Sequence, residues 1–252
     1  MIYICIPTHN EAETVGVLLW KVRKVLGEFG RDYRLLVLDD ASTDDTAQVL
    51  DRYRGKLPLT VIRAKQRMGY AAAVERLLHE AVGLADYPKR DAAVVLQADF
   101  TENPEDIVTL VKALEGGADI VAGSAGYDGE HPAPRGVSWV RKLARFALGR
   151  TLRSAPVSDP LNGMRAYRII VLKKALRDLP AGERLLHTEG WAANVELLKR
   201  LVPHARRITE APTSPRPELQ LRPSRFRPLA TLLALFKLRG TGWESGAQAS
   251  GS

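Results

Sequence analysis

The chain has one cysteine among 252 residues, few aromatics (6%) and no long apolar run. A single thiol excludes an intrachain disulfide framework, and Cys5 sits inside a short apolar segment, as a buried thiol in a reducing compartment does. No segment approaches the roughly 20 apolar residues needed to cross a bilayer. The longest candidate, PLATLLALFKLRG near the C-terminus, is about half that length. The opening MIYICIPTHNEAE lacks a basic n-region, and its apolar run is too short for a signal peptide. Also missing are the G-x-G-x-x-G turn of dinucleotide sites and the glycine loop with lysine of P-loop proteins. No His/Cys spacing supports zinc, so His9 and His187 read as ordinary loop residues.

What is present is an ordinary globular composition, 45% hydrophobic and 26% charged, with an uneven charge distribution. Residues 1–130 hold 15 Lys/Arg against 21 Asp/Glu, a net of −6; residues 131–252 hold 22 against 8, a net of +14. A basic half beside an acidic half points to an anionic partner. Nucleic acid is not the preferred one, because the basic residues are not interleaved with aromatic stacking platforms.

The first 130 residues alternate apolar runs (IYICIP, RLLVLDD, LTVIRA, AAVVLQAD, ADIVAGS) with helical patterns at 12–26, 44–54, 70–84 and 104–115. This alternation predicts an α/β fold, a mostly parallel sheet with helices on both faces. Beyond it, VSWVRKLARFALGRTL predicts a basic amphipathic helix, with Trp139, Leu143 and Phe146 on its apolar face and Arg141, Lys142 and Arg145 opposite. Such a helix can pack on the sheet, lie in a membrane interface, or both. A strand over NGMRAYR, helices at 169–178 and 188–201 and a strand around RRITEAP follow. Residues 212–228 are rich in Pro and Arg and predict an extended loop, residues 228–238 a short apolar helix, and residues 241–252 a disordered tail.

Three polar constellations stand where strands end: IPTHNE, LDDASTDDT and QADFTE. An acid-lined crevice repels bare phosphates but accepts a diphosphate when a divalent cation lies between. Acids at strand ends also accept hydrogen bonds from a nucleobase and ribose. A metal-held nucleoside diphosphate therefore fits better than a redox dinucleotide.

In order and at their separations, IPTHNEAETVGVLL, VLDDASTDDT, MGYAAAVERLLHEA, LQADFTENPEDIVTLVKAL, DIVAGS and SDPLNGMRAYRIIVL resemble the family 2 glycosyltransferases of GT-A fold, over about residues 2–215. Within the family they look most like the dolichol-phosphate mannosyltransferase (polyprenyl-phosphate sugar transferase) branch. The resemblance implies a nucleotide-sugar-binding half, 1–130, an acceptor-side half, 131–215, and a basic extension, 216–240. It also implies donor-binding roles for Pro7, Thr8, His9, Glu11, Leu38, Asp39, Asp40, Gln97, Ala98 and Asp99. Asp99 matches the second acid of the Asp-x-Asp motif, which holds Mg²⁺ or Mn²⁺ on the donor diphosphate.

Gln97 replaces that motif's first acid, and Thr101 replaces a glutamine that neighbours the metal in some relatives. The amide oxygen of Gln97 is still a ligand, so weaker metal binding is expected, not none. His9 stands where tyrosine is usual, and Ala125 where the lipid-phosphate branch often has arginine. Arg141, Arg145, Asn162 and Arg165 are the candidates for holding acceptor or phosphate. Asp159 and Glu189 are the candidate bases should the acceptor be a hydroxyl; a phosphate acceptor needs none. The implied reaction is inverting transfer from a nucleoside diphosphate sugar, GDP-mannose first, to a polyprenyl phosphate. The implied place is the cytoplasmic face of an anionic membrane, with or without a separate membrane-embedded partner. Transfer to a saccharide hydroxyl from a UDP-sugar, or a decayed nucleotide-binding protein, are the alternatives.

Overall fold

A computed structural model describes residues 1–125, 155–220, 228–238 and 243. The expected basic helix, with Arg141 and Arg145, lies outside the described residues, as do Arg222, Arg225 and Arg227.

The elements in chain order are β1 (Ile2–Thr8), α1 (Val15–Phe29), β2 (Tyr33–Asp39), α2 (Thr46–Tyr53), β3 (Leu59–Arg63), α3 (Tyr70–Leu84), β4 (Ala92–Val95), α4 (Asp106–Glu115) and β5 (Ile120–Ala125). After the undescribed stretch come β6 (Arg165–Arg168), α5 (Ile169–Arg177), α6 (Trp191–Leu201), β7 (Ile208–Thr213) and α7 (Pro228–Lys237). Short 3-10 turns cover Val202–His204 and Pro217–Leu219.

The strands form one seven-stranded sheet in the order β3-β2-β1-β4-β6-β5-β7. All pairings are parallel except those of β6, which runs antiparallel to both β4 and β5. Helices cover both faces, as expected of a mostly parallel sheet. On one side Ile4, Ile6, Leu35, Val37 and Val94 pack against α1 and α4. On the other, Tyr3, Cys5, Leu36, Leu38 and Val95 meet α3, α5 and α6. Alternate residues of the same strands thus feed opposite layers, which is why β1 and β2 read as unbroken apolar runs. Cys5 is fully buried, and burial pushes its thiol well above the ordinary range, so it is packing material.

Four helix starts shift by two or three residues from the sequence pattern: that of α6 is set by Gly190 at φ 61°, and the other three share one reason. The capping residues that announce a helix stand outside it. Asp44 accepts the Thr46 amide, Asn103 accepts the Glu105 amide, and the turn from Glu11 to Thr14 precedes α1. At the other end of α1, Gly30 takes the left-handed conformation (φ 67°) and its N–H closes on Leu26. Two strands are shorter than expected. β4 stops at Val95, because the Gln97 amide turns to the carboxylate of Glu102. β6 starts only at Arg165, because Asn162 bends the chain by accepting the Met164 amide.

No described helix is long and apolar enough to cross a membrane. In α7, Leu232 and Leu235 pack on Leu161, Ala192 and Val195, while Leu229, Leu233 and Phe236 remain exposed. Lys199 of α6 donates to the Leu238 carbonyl and lies 5.5 Å from the centre of the Trp243 ring, tying the end of this segment down.

Candidate active site

In the order β3-β2-β1-β4, the chain winds one way from β1 to β3 and then returns to the far side of β1. Ligands of open α/β sheets bind outside the carboxyl ends of strands at such a reversal. The three sequence constellations meet that edge: Thr8–Glu11 after β1, Asp39 and Asp40 at the end of β2, and Gln97–Glu102 after β4.

Most of these groups are held by main chain. Pro7 and Thr8 pair with Leu38 and Asp39 across the β1–β2 ladder. Asp39 accepts the Ser42 amide, and Glu11 is buried with its carboxylate accepting the Thr14 hydroxyl. Asp40 accepts the amides of Met68 (2.6 Å) and Gly69 (3.0 Å), which fixes the approach to α3. His9 lies between the Asp40 carbonyl and the Arg67 guanidinium, at 2.8 Å from each. A guanidinium only donates, so in this geometry Nε2 of His9 accepts from Arg67 and Nδ1–H donates to the Asp40 carbonyl.

Asp99 is buried to 3% exposure and lies four residues beyond the last residue of β4. Its Oδ1 accepts the Thr101 hydroxyl (2.6 Å) and amide (3.2 Å), and its Oδ2 accepts Gln220 (3.0 Å). Ala98 is buried beside it, and Phe100 adopts φ 63°, a strained value for a non-glycine residue. Gln97 donates its backbone amide and, at 3.5 Å, its side-chain amide to Glu102. The segment after β7, expected as loop, crosses here: the Arg216 amide reaches the Thr101 carbonyl, and Gln220 reaches Asp99. Sequence reading missed Gln220, since only the tertiary fold brings it back 121 residues.

The acceptor-side candidates fare differently. Asn162 donates to the Gly123 carbonyl, and Asp159 accepts the Leu161 amide. Arg165 is fully buried and donates to the carbonyls of Pro160 and Asn194, each at 2.5 Å. Its guanidinium therefore braces the 160–163 loop against α6, a role that no local pattern around Arg165 announces. Glu189 reaches the N-terminus of α3: a Cβ on Gly69 would stand 2.9 Å from its carboxylate oxygens. Gly69 also has φ 89°, so both the backbone and the carboxylate require glycine there.

Glu102, quoted in QADFTE but given no role, is the most perturbed acid of the site. Burial, opposed by the Gln97 bonds and reinforced by the charges of Asp99 and Asp106, pushes its carboxyl up to about 8. The folded protein then keeps a proton that the unfolded chain releases above its ordinary value of 4.5. Stability contributed by this group is therefore lost as pH rises through that window and level above about 8. Glu102→Gln is expected to flatten the fall in melting temperature across the window; an unchanged profile would show that Glu102 ionises normally.

The donor set was tested for a divalent cation. Among the described residues no three His, Cys, Asp or Glu side chains form a metal cage. Mg²⁺, however, is commonly held by one or two carboxylates plus substrate phosphates. Beside the Asp99 carboxylate stand the Thr101 hydroxyl, which donates to it, and the side-chain amide of Gln97. One acid with a neighbouring amide and hydroxyl fits a cation that arrives with a diphosphate.

The sequence model described as Glycosyl transferase family 2 matches residues 3–176. The chain belongs to that family. It is 35% identical over 172 residues to a dolichol-phosphate mannosyltransferase of Pyrococcus furiosus, a match covering 66% of this chain and 45% of the relative. It is 28% identical over 175 residues to an undecaprenyl-phosphate 4-deoxy-4-formamido-L-arabinose transferase of Pseudomonas syringae, covering 69% and 49%. The chain thus spans about half the length of the curated relatives it matches.

Among solved structures, glucosyl-3-phosphoglycerate synthase from Mycobacterium tuberculosis with phosphoglyceric acid superposes at TM-score 0.63 and 21% identity, covering 95% of this chain and 80% of that one. The same enzyme with Mn²⁺, uridine diphosphate and glucosyl-3-phosphoglycerate gives 0.62 and 22%, covering 95% and 79%. The family 2 chain therefore has the GT-A fold that its motifs implied. Its acid pair, Asp39 and Asp40, and its lone Asp99 occupy the carboxyl edge of that fold.

Proposed function

We propose that this chain is an inverting glycosyltransferase that moves a sugar from a nucleoside diphosphate to a polyprenyl phosphate at the cytoplasmic face of a membrane. The observation that carries the reading is the Asp99 carboxylate at the reversal of the sheet, across β1 from Asp39 and Asp40. The relatives named for dolichol phosphate and undecaprenyl phosphate support the acceptor class. GDP-mannose is the first donor to test.

In this reading Asp39, Asp40 and His9 line the nucleoside, and Asp99, with Gln97 and Thr101 beside it, would hold a Mg²⁺ or Mn²⁺ that arrives with the diphosphate. When bound, the cation offsets the negative charge that grows on the leaving diphosphate. An acceptor oxygen attacks the anomeric carbon from the face opposite the diphosphate. The bond from that carbon to the diphosphate oxygen breaks, and its electron pair leaves with the nucleotide. A phosphate acceptor is ionised at neutral pH and needs no base; a hydroxyl acceptor needs a carboxylate within about 3 Å, which would fall to Asp159 or Glu189.

The exposed Leu229, Leu233 and Phe236 of α7, ending at Lys237, form an apolar stripe suited to the boundary of an anionic lipid surface. They support a lipid acceptor over a soluble saccharide.

Thermal melts with GDP, UDP, GDP-mannose and UDP-glucose, each with and without Mn²⁺, test the donor site. A ligand at 100 times its Kd stabilises by about 2.7 kcal/mol. A Mn²⁺-dependent shift with one base, followed by transfer to polyprenyl phosphate and none to free sugars, is the expected result. A nucleotide shift without turnover would identify a decayed binding protein; no shift at all would overturn the donor site.

A further inference from the structure

The loop between α5 and α6 is held in an unusual way. Four consecutive backbone amides, 185 to 188, are all taken by carboxylates from two different helices. Glu75, on α3, accepts Leu185 through Oε1 (2.7 Å) and Leu186 through Oε2 (3.2 Å), with Arg184 at 3.6 Å. Glu196, on α6, accepts His187 (2.9 Å), Thr188 (2.8 Å) and the Thr188 hydroxyl (2.7 Å), all through Oε2. Both acids are buried, at 8% and 4% exposure. Two buried carboxylates cost desolvation, which a connecting loop with no other task would avoid by facing water.

The next residue is Glu189. It leaves this clamp pointing at the N-terminus of α3, into the gap that the missing side chain of Gly69 creates. The Gly69 amide is bound by Asp40, a donor-site acid. Gly190 then turns at φ 61° into α6, so the loop cannot slide toward its C-terminal end without unwinding that helix.

We infer that Glu75 and Glu196 are positioning residues whose shared task is to seat the Glu189 carboxylate against α3 beside the donor site. The kinetic part of this inference rests on the transferase reading above; the spectroscopic part does not.

The two clamps should respond differently to the same conservative change. In Glu75→Gln one oxygen becomes an NH₂ group, which faces a backbone N–H and cannot accept from it. In Glu196→Gln the remaining carbonyl can replace the single oxygen that takes all three bonds. With a hydroxyl acceptor, for which Glu189 is a candidate base, Glu75→Gln and Glu196→Ala are therefore expected to lower kcat about tenfold or more, because small displacements of a site group carry such costs; with a phosphate acceptor, which needs no base, the resonance described below is the readout. Nucleotide Kd should stay unchanged, and Glu196→Gln should behave nearly as wild type. Combining Glu75→Gln with Glu189→Gln should be no slower than Glu189→Gln alone, since the first acts through the second. Multiplying effects, or a Glu196→Gln as impaired as Glu196→Ala, would overturn the inference.

The carboxyl ¹³C resonance of Glu189 provides the readout that needs no turnover. It should move in Glu75→Gln and Glu196→Ala and hold in Glu196→Gln. If wild type turns over no donor but this pattern appears, the transferase reading fails and the positioning stands. A Glu189 signal indifferent to all three substitutions would overturn the positioning itself.

Discussion

Asp99→Ala is expected to abolish the proposed sugar transfer and the Mn²⁺-dependent nucleotide shift while the protein still folds. The expected fall in rate is roughly a thousandfold or more, the scale seen when a group that stabilises leaving-group charge is removed. Gln97 has already taken one acid from the motif, so no second carboxylate stands two positions before Asp99 to compensate. The cost to the fold is smaller. Asp99 accepts from Thr101 and Gln220, all at the open end of the sheet rather than inside either core layer. Losing those bonds should cost about 1–3 kcal/mol. Asp99→Asn separates the two effects: it keeps the size and one acceptor oxygen but loses the charge. Initial rates and melts with and without Mn²⁺ decide the matter. Full activity in either variant would remove Asp99 from the metal role.

Arg165→Met has the opposite signature, a large loss of stability. Among the described residues Arg165 is one of the largest fully buried side chains, and it donates to the main-chain carbonyls of Pro160 and Asn194. Its Nε has no partner, so the guanidinium is not an optimal interior group in its own right. Removing it strands the buried Pro160 carbonyl, at about 1–3 kcal/mol, while the Asn194 carbonyl keeps its place in the helical ladder of α6. A loss of about 2 kcal/mol corresponds to a fall in melting temperature of roughly 4–8 °C for a chain of this size. Circular-dichroism melts test this. A melting temperature within a degree or so of wild type would mean that water or a shifted loop satisfies the Pro160 carbonyl. Whatever transfer activity survives in the folded fraction then tells whether Arg165 also meets the acceptor.

These two residues show how far the sequence could be read. Asp99 was legible because its surroundings are local: an apolar strand, a turn and a helix start within a dozen residues give its place at the sheet edge. The alternation of apolar runs and helical patterns likewise gave the parallel, two-faced architecture. Arg165 was not legible. An arginine between Met164 and Ala166 reads as polar surface or ligand contact, and only the insertion of β6 between β4 and β5 puts it in the interior. The roles of Gln220 and Glu75 were hidden for the same reason: their partners lie far along the chain, and no periodicity records a contact at that separation. Glu196 was hidden although its partners, His187 and Thr188, are near in sequence, because a helical glutamate reads as a solvated face. Strand and helix ends were missed by a few residues where side chains such as Asn162, Asp44 and Glu102 capture main-chain amides.

The placement of β6 also sets an order of events at the ribosome. β1 to β4 pair with one another from the first hundred residues, but β5, although made next, has no edge to join until β6 arrives. During synthesis the growing chain therefore carries an open β4 edge and an unpaired β5 for forty residues of elongation, from Ala125 to Arg165. At about 5–20 residues per second this is a window of a few seconds. Unpaired edges template association with other chains. Nascent chains arrested before residue 165 should aggregate or hold chaperone, and those arrested well beyond it should not.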